Sequence, residues 1–232
     1  MKKTLIELKN ISKRFTDGYV IKDFSYSFSE TGLYVLFGES GCGKTTLLNI
    51  LSGALSIEEG KIIIDDNTYT DKLPEYITKN YIAYITQNNH FIDYLNIYDN
   101  LLLATDKNVD THIIDEYLDK FNLSYLKDKY PSALSGGEKN RIALIRALLN
   151  DYKIILIDEV TAALDEENKT LVLKMLSELK NTHLIIFATH DETATSIADA
   201  ILSFPLISHN TTYPKTKLKP LERKKVLFYH SC

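Results

Sequence analysis

Hydrophobic positions along the chain follow two rhythms. Near the start, Leu5-Ile6-Glu7-Leu8 and Phe24-Ser25-Tyr26-Ser27-Phe28 alternate in a strand-like way, with the aromatics of the second segment on one face. Glu30-Thr31-Gly32 reads as a turn. Leu33–Phe37, Ile62–Ile64, Tyr81–Ile85, Ile154–Ile157 and Leu184–Ala188 are instead continuous apolar runs, the pattern of short strands buried on both faces. Helical spacing falls between them. Thr45–Leu51 has helical character, and Ile114, Tyr117, Leu118 and Phe121 follow i, i+3, i+4, i+7, with Asp110 as the expected N-cap. Ile142, Ile145 and Leu149 form another stripe, as do Val172, Met175, Leu176 and Leu179. Buried strands alternating with amphipathic helices predict an α/β fold with a mainly parallel sheet. From about 91 to 151 no strand pattern appears, so this stretch is expected to be a helical insertion.

Composition narrows the class without naming a function. The 232 residues are 44% hydrophobic and 25% charged, which excludes a disordered chain, a collagen-like fibre and a disulfide scaffold. The longest apolar run is five residues, far short of the roughly 20 that span a bilayer. Met1-Lys2-Lys3 is basic, but Glu7 and Lys9 interrupt what would be the apolar core of a signal peptide, so a cytoplasmic chain is expected. Cys42 and Cys232 fit a reducing compartment, and neither has a Cys or His neighbour at metal-ligand spacing. A net charge of −4 gives no reason to expect nucleic acid. The charge is uneven: residues 209–232 carry +5, leaving −9 on the remainder. That basic tail is either a solvated extension or a contact for an anionic membrane face or partner. No linker or repeat divides residues 1–208, which are expected to form one domain.

Two segments carry chemistry. Gly38-Glu39-Ser40-Gly41-Cys42-Gly43-Lys44-Thr45 matches G-x-x-x-x-G-K-[ST], between a predicted strand and a predicted helix. Glycines let backbone N–H groups turn toward phosphate oxygens, and the helix that follows, beginning around Thr45-Thr46, adds the positive end of its dipole. Lys44 would neutralise the β- and γ-phosphates and the Thr45 hydroxyl would ligate Mg²⁺. Ile154-Ile155-Leu156-Ile157-Asp158-Glu159 would bring two acids to the C-terminal end of a central strand, where ligands of open α/β sheets sit. Asp158 is the candidate Mg²⁺ residue and Glu159 the candidate general base for an attacking water.

Leu134-Ser135-Gly136-Gly137-Glu138 adds a second potential anion-binding helix start. With it, the chain resembles the ATP-binding subunits of ABC transporters over about residues 4–207. The resemblance implies their fold: a P-loop NTPase core with a mainly parallel sheet, an N-terminal antiparallel β portion and a helical insertion. It implies ATP and Mg²⁺ as ligands, ATP hydrolysis as the reaction, and a second protomer (a homodimer expected) whose Ser135–Glu138 segment faces the phosphate loop. It also implies a separate transmembrane permease that would hold the chain at the inner face of the membrane. Gln87 matches the glutamine that senses Mg²⁺ and water and couples to that permease. Ala163-Leu164-Asp165 matches the loop that contacts the partner protomer, though an N-cap explains Asp165 equally well. His190 matches the γ-phosphate histidine. Phe15 matches the aromatic that stacks on adenine, with Tyr19 a competing choice.

The pattern departs from the family at Glu138, usually Gln, at Lys139, usually Gln, and at Val160, often Pro. Cys42 is either a small spacer or an oxidisable thiol. Spacing at Gln87, Asn88, Phe91, Leu95 and Asn100 resembles the exporter-associated group that handles lipoproteins, macrolides and antimicrobial peptides. A cell-division-type regulatory ATPase and a soluble iron–sulfur-assembly type remain as alternatives. DNA-repair and translation relatives need a long coiled-coil insertion or tandem nucleotide domains, and the sequence holds neither.

Overall fold

The alternating segments at the start pair with each other. In the computed structural model, β1 (Thr4–Phe15) and β2 (Gly18–Ser29) form an antiparallel hairpin. The structure describes residues 4–86, 90–105, 110–150, 152–161, 164–204 and 225–228. After β3 (Gly32–Phe37) and α1 (Lys44–Leu51), β4 (Glu59–Ile64) returns antiparallel to β1 and pairs with β5 (Asn67–Tyr69). The first sheet therefore runs β2-β1-β4-β5. The three-isoleucine run at 62–64 belongs here, not in the parallel sheet: Ile62 and Ile64 are buried, while Ile63 points to the less covered face. A run of three is too short for its periodicity to reveal this.

Further along come α2 (Glu75–Tyr81), β6 (Ile82–Ile85), α3 (Ile97–Ala104), α4 (His112–Lys120) and α5 (Gly136–Leu148). They are followed by β7 (Ile154–Asp158), α6 (Glu166–Leu179), β8 (Leu184–Thr189), α7 (Glu192–Thr195), β9 (Ala200–Ser203) and β10 (Lys225–Phe228). The second sheet is parallel throughout, in the order β10-β9-β3-β8-β7-β6. Between β6 and β7 the described residues hold three α-helices, two short 3-10 turns and no strand. Asp110 is not the cap of α4. Thr111 occupies that position, and the Asp110 carboxylate accepts from the His112 N–H at 3.0 Å, closing the turn one residue earlier. Residues 225–228, within the stretch read as a basic tail, form the sheet's edge beside β9.

The continuous apolar runs make physical sense in the parallel sheet. Along β3, Leu33 and Val35 enter a core beneath the helical insertion and α6, while Tyr34 and Leu36 enter a second core with α1 and the antiparallel sheet. β7 and β8 divide their side chains in the same alternating way. Both faces are covered, so every position must be apolar. The strand ends and the start of α1 then meet on one side of a fully packed sheet.

Candidate functional site

α1 and its preceding loop meet the end of β7 at a cavity of about 230 Å³. From the loop and helix, Ser40, Gly41, Gly43, Lys44, Thr45 and Thr46 line it, and from the strand end, Asp158 and Glu159. Gly43 has φ +102°, and a β-carbon there would lie 3.1 Å from the Val20 side chain and carbonyl. Only glycine both takes this conformation easily and lets the β1–β2 hairpin close against the loop. Gly38 and Glu39 contribute through their carbonyls, each accepting from Lys44 Nζ at 2.8 Å. Lys44 is only 4% exposed, so these two bonds offset much of the cost of taking an ammonium out of water. Glu159 Oε1 stands 3.9 Å from the same nitrogen. Cys42 is buried, and burial pushes its thiol up against the opposing pull of Lys44. Its Sγ lies inside the loop wall, 3.7 Å from Lys44 Nζ.

The two acids sit in different surroundings. Burial raises the Asp158 carboxyl above its ordinary value, opposed by the Thr45 hydroxyl beside it and reinforced by Glu159. Its Oδ2 accepts from the Tyr84 hydroxyl at 3.4 Å, and its Oδ1 is buried with no hydrogen-bond partner. A buried, unpartnered carboxylate oxygen next to a threonine hydroxyl is a hard-oxygen donor set that fits Mg²⁺. Glu159 lies just past the strand at φ +50°, a left-handed conformation unusual for a residue with a β-carbon. Its N–H donates to the Ala188 carbonyl at 3.0 Å, and His190 Nδ1, from the end of β8, lies 3.3 Å from its Oε1. His190 is half exposed and does not itself line the cavity; it adjoins it through the glutamate.

Ser135–Glu138 is elsewhere, contributing nothing to the lining of this cavity. Ser135 is the N-cap of α5: its Oγ accepts from the Glu138 N–H at 3.3 Å, while Glu138 Oε2 accepts from the Ser135 N–H at 2.7 Å. This reciprocal capping box needs a Glu or Gln at its third helical position. Glu138 is therefore accommodated for a local reason, and the Tyr125 hydroxyl donates to its other oxygen at 2.5 Å. Ser135 and Gly136 face solvent. Gly137 is packed so closely that a β-carbon would come within 2.6 Å of the Asn168 side chain.

Residues 21–162 match the ABC transporter family. The chain belongs to that family. The putative hemin import ATP-binding protein HrtA of Staphylococcus haemolyticus is 34% identical over 216 residues, covering 85% of this chain and 95% of that one. The sulfate/thiosulfate import ATP-binding protein CysA of Acinetobacter baylyi is 34% identical over 209 residues, and the spermidine/putrescine import ATP-binding protein PotA of Thermotoga maritima 32% over 207. These alignments cover 85% and 84% of this chain but only 58% and 55% of those relatives' lengths. Among solved structures, the dimeric post-hydrolysis state of the ATP-binding cassette MJ0796 bound to ADP and Pi superposes with a TM-score of 0.75. It is 26% identical and covers 88% of this chain and 97% of that one. This ABC chain is accordingly an ATP-binding ATPase with the ABC ATPase fold.

The other described residues singled out in the sequence do not line the cavity. Phe15 is 43% exposed at the tip of β1, with Lys13 Nζ 5.7 Å from its ring centroid. Tyr19, across the same hairpin, carries Arg14 and Lys22 over its ring at 5.7 and 5.9 Å. Neither lines the cavity. Asp165 is the N-cap of α6, its Oδ1 accepting from the Asn168 N–H at 2.8 Å, and the Asn168 amide also donates to both carboxylate oxygens. Gln87, Asn88 and Ala163 lie outside the described residues. Sequence reasoning missed two side chains that touch the acids' surroundings: Tyr84, and Asn140, whose amide donates to the Val160 carbonyl. No motif marks either one, since their partners are far away in the chain.

Proposed function

We propose that this chain is the energy-coupling subunit of an ABC transporter, with two copies closing head to tail around ATP to drive a separate membrane permease. One observation carries the reading. The chain holds Lys44, Asp158 and Glu159 around one cavity, while the turn that opens its second phosphate-type helix start, Ser135-Gly136, lies exposed and outside that cavity. Two copies arranged head to tail satisfy both half-sites at once.

Within that sandwich each residue has a role. The loop from Gly38 to Thr46 would cradle the phosphates, with Lys44 at the β- and γ-phosphates. Thr45, Asp158 and Gln87 would hold Mg²⁺, which supplies charge neutralisation at the phosphate oxygens. Glu159 would take a proton from water as its oxygen attacks the γ-phosphorus and ADP departs from the opposite side. His190 and the partner's copy of the 135–138 segment would meet the charge that builds on the transferred group. Phe15 or Tyr19 would stack on adenine, and Asp165 would contact the partner from its capped position.

The permease is inferred from a second surface. Ile92, Tyr94, Leu102 and Leu103 are exposed around α3, and Ile92 follows Gln87 by five positions in the sequence. The buried amide of Asn100 donates to the carbonyls of Ile92, Leu95 and Asn96 and accepts from the Ile92 N–H, fixing the loop that presents them. No helix among the described residues is long and apolar enough to cross a membrane. Peripheral attachment to the cytoplasmic face through a permease follows from this reading. Export of peptides or lipoproteins is the finer proposal; it rests on the spacing from Gln87 to Asn100, and the relatives named above are import proteins. Affinity purification from detergent-solubilised membranes tests the assignment. A multispan protein recovered in stoichiometric amount is expected; a stable complex with only water-soluble proteins would favour the iron–sulfur-assembly type and overturn it.

A further inference from the structure

Glu159 is held in a conformation that its own backbone disfavours. A left-handed φ of +50° is disfavoured for a non-glycine residue, and it persists only where the surroundings fix it. On one side the fixing contact is the Glu159 N–H to the Ala188 carbonyl on β8. On the other side it comes from α5. Asn140 is 7% exposed, and its amide donates to the Val160 carbonyl at 2.5 Å, one peptide beyond Glu159. Val160 itself is buried in the core beneath the helical insertion. The backbone on both sides of the glutamate is therefore anchored, by β8 before it and by a buried amide after it.

Asn140 also stands on a particular face of α5. It lies four residues after Gly136, so the two share one side of the helix. A β-carbon at Gly136 would have Leu164 as its neighbour at 3.7 Å, while Asn140 reaches Val160. That face of α5 passes Val160 and Leu164, and its exposed end is the Ser135–Gly136 turn.

We propose that Asn140 is a positioning residue for hydrolysis: its amide holds the Val160–Thr161 peptide, one residue past Glu159, and so links the start of α5 to the chain's own general base. The proposal rests on Glu159 being that base. Asn140 touches neither nucleotide nor water; it acts through the glutamate's backbone. Losing it should leave nucleotide binding intact and misplace the base, and a misplacement of about 1 Å can cost up to about 100-fold in rate.

The test uses the full chain with Asn140→Leu, Asn140→Asp and Asn140→Gln beside Glu159→Gln, measuring kcat, KM for ATP, nucleotide affinity and Tm. Leu and Asp remove the donor at similar size. Both should lower kcat about 10-fold or more while KM and nucleotide affinity stay within about twofold, the split expected when only the transition state is affected. Gln keeps a donor and should recover part of the loss. Parent-rate turnover in the Leu and Asp variants, or affinity falling in step with kcat, would overturn the proposal. So would loss of cooperative melting in both variants, since the amide would then be a general packing element. Glu159→Gln separates the two claims. If it is inactive while Asn140→Leu is fully active, only the role of Asn140 fails; if it hydrolyses ATP at the parent rate, the base assignment fails as well.

Discussion

Lys44 is a charged side chain almost fully removed from water, and its surroundings show why the motif around it is so readable. Two loop carbonyls accept hydrogen bonds from it and a carboxylate stands 3.9 Å away, and those carbonyls converge only if the loop has the conformation that G-x-x-x-x-G-K-[ST] encodes. Residue types at fixed, short spacing are dictated by the chemistry, so Lys44, Thr45, Asp158 and Glu159 stand out in the amino-acid sequence itself. Asn140 does not, because its bond to Val160 spans 20 residues and nothing in the spacing signals it. Glu58 is a similar case. Burial would raise its carboxyl, but the Lys13 ammonium at 2.7 Å and the Arg14 N–H at 2.9 Å outweigh this and hold it below the usual carboxylate range. These contacts fasten the start of β4 to the end of β1, two residues from Phe15. A carboxyl lowered in the folded state stabilises fully above its unfolded value of about 4.3 and loses that contribution as pH falls below it. Glu58→Gln should therefore lower Tm at pH 7, with the gap to the parent closing on acidification toward pH 3. A gap that is unchanged between those pH values would show that the ion pair does not contribute.

At the scale of elements, period decides what can be foreseen. Helices with a full apolar stripe, such as α4 and α6, and strands buried on both faces announce themselves, because each position repeats the same physical demand. β5 and β9 are three and four residues long and offer too little pattern, and β10 lies in a stretch dominated by charge. The start of α5 is visible as a phosphate-type signature, but its capping box and its contact with α6 are not. Gly137 sits where the two helix starts meet. An alanine there gains up to about 1 kcal/mol of helix propensity but drives its methyl into Asn168. That side chain can move only by giving up its bonds to Asp165 and Arg141. Overpacking of this kind costs about 1–3 kcal/mol, so the clash wins. Gly137→Ala should lower Tm by a few degrees, about 2–4 °C per kcal/mol at this chain length. An alanine variant as stable as the parent would mean that α5 and α6 can separate freely at this point.

Across the whole molecule, two surfaces stand apart past the end of β7. One carries the cavity with Lys44, Asp158 and Glu159; the other presents Ser135 and Gly136 to solvent, linked to the first through the Asn140–Val160 contact. In the proposed reading, an ATP-driven closing motion would act on another protein. In that reading two copies close around ATP and Glu159 then allows them to part. Glu159→Gln keeps the shape of the site and removes the base. Light scattering of this variant with ATP and Mg²⁺ should give twice the monomer mass, stable over time, with hydrolysis reduced by about 100-fold or more. A variant that stays monomeric with ATP, or that turns over ATP at the parent rate, would contradict that reading.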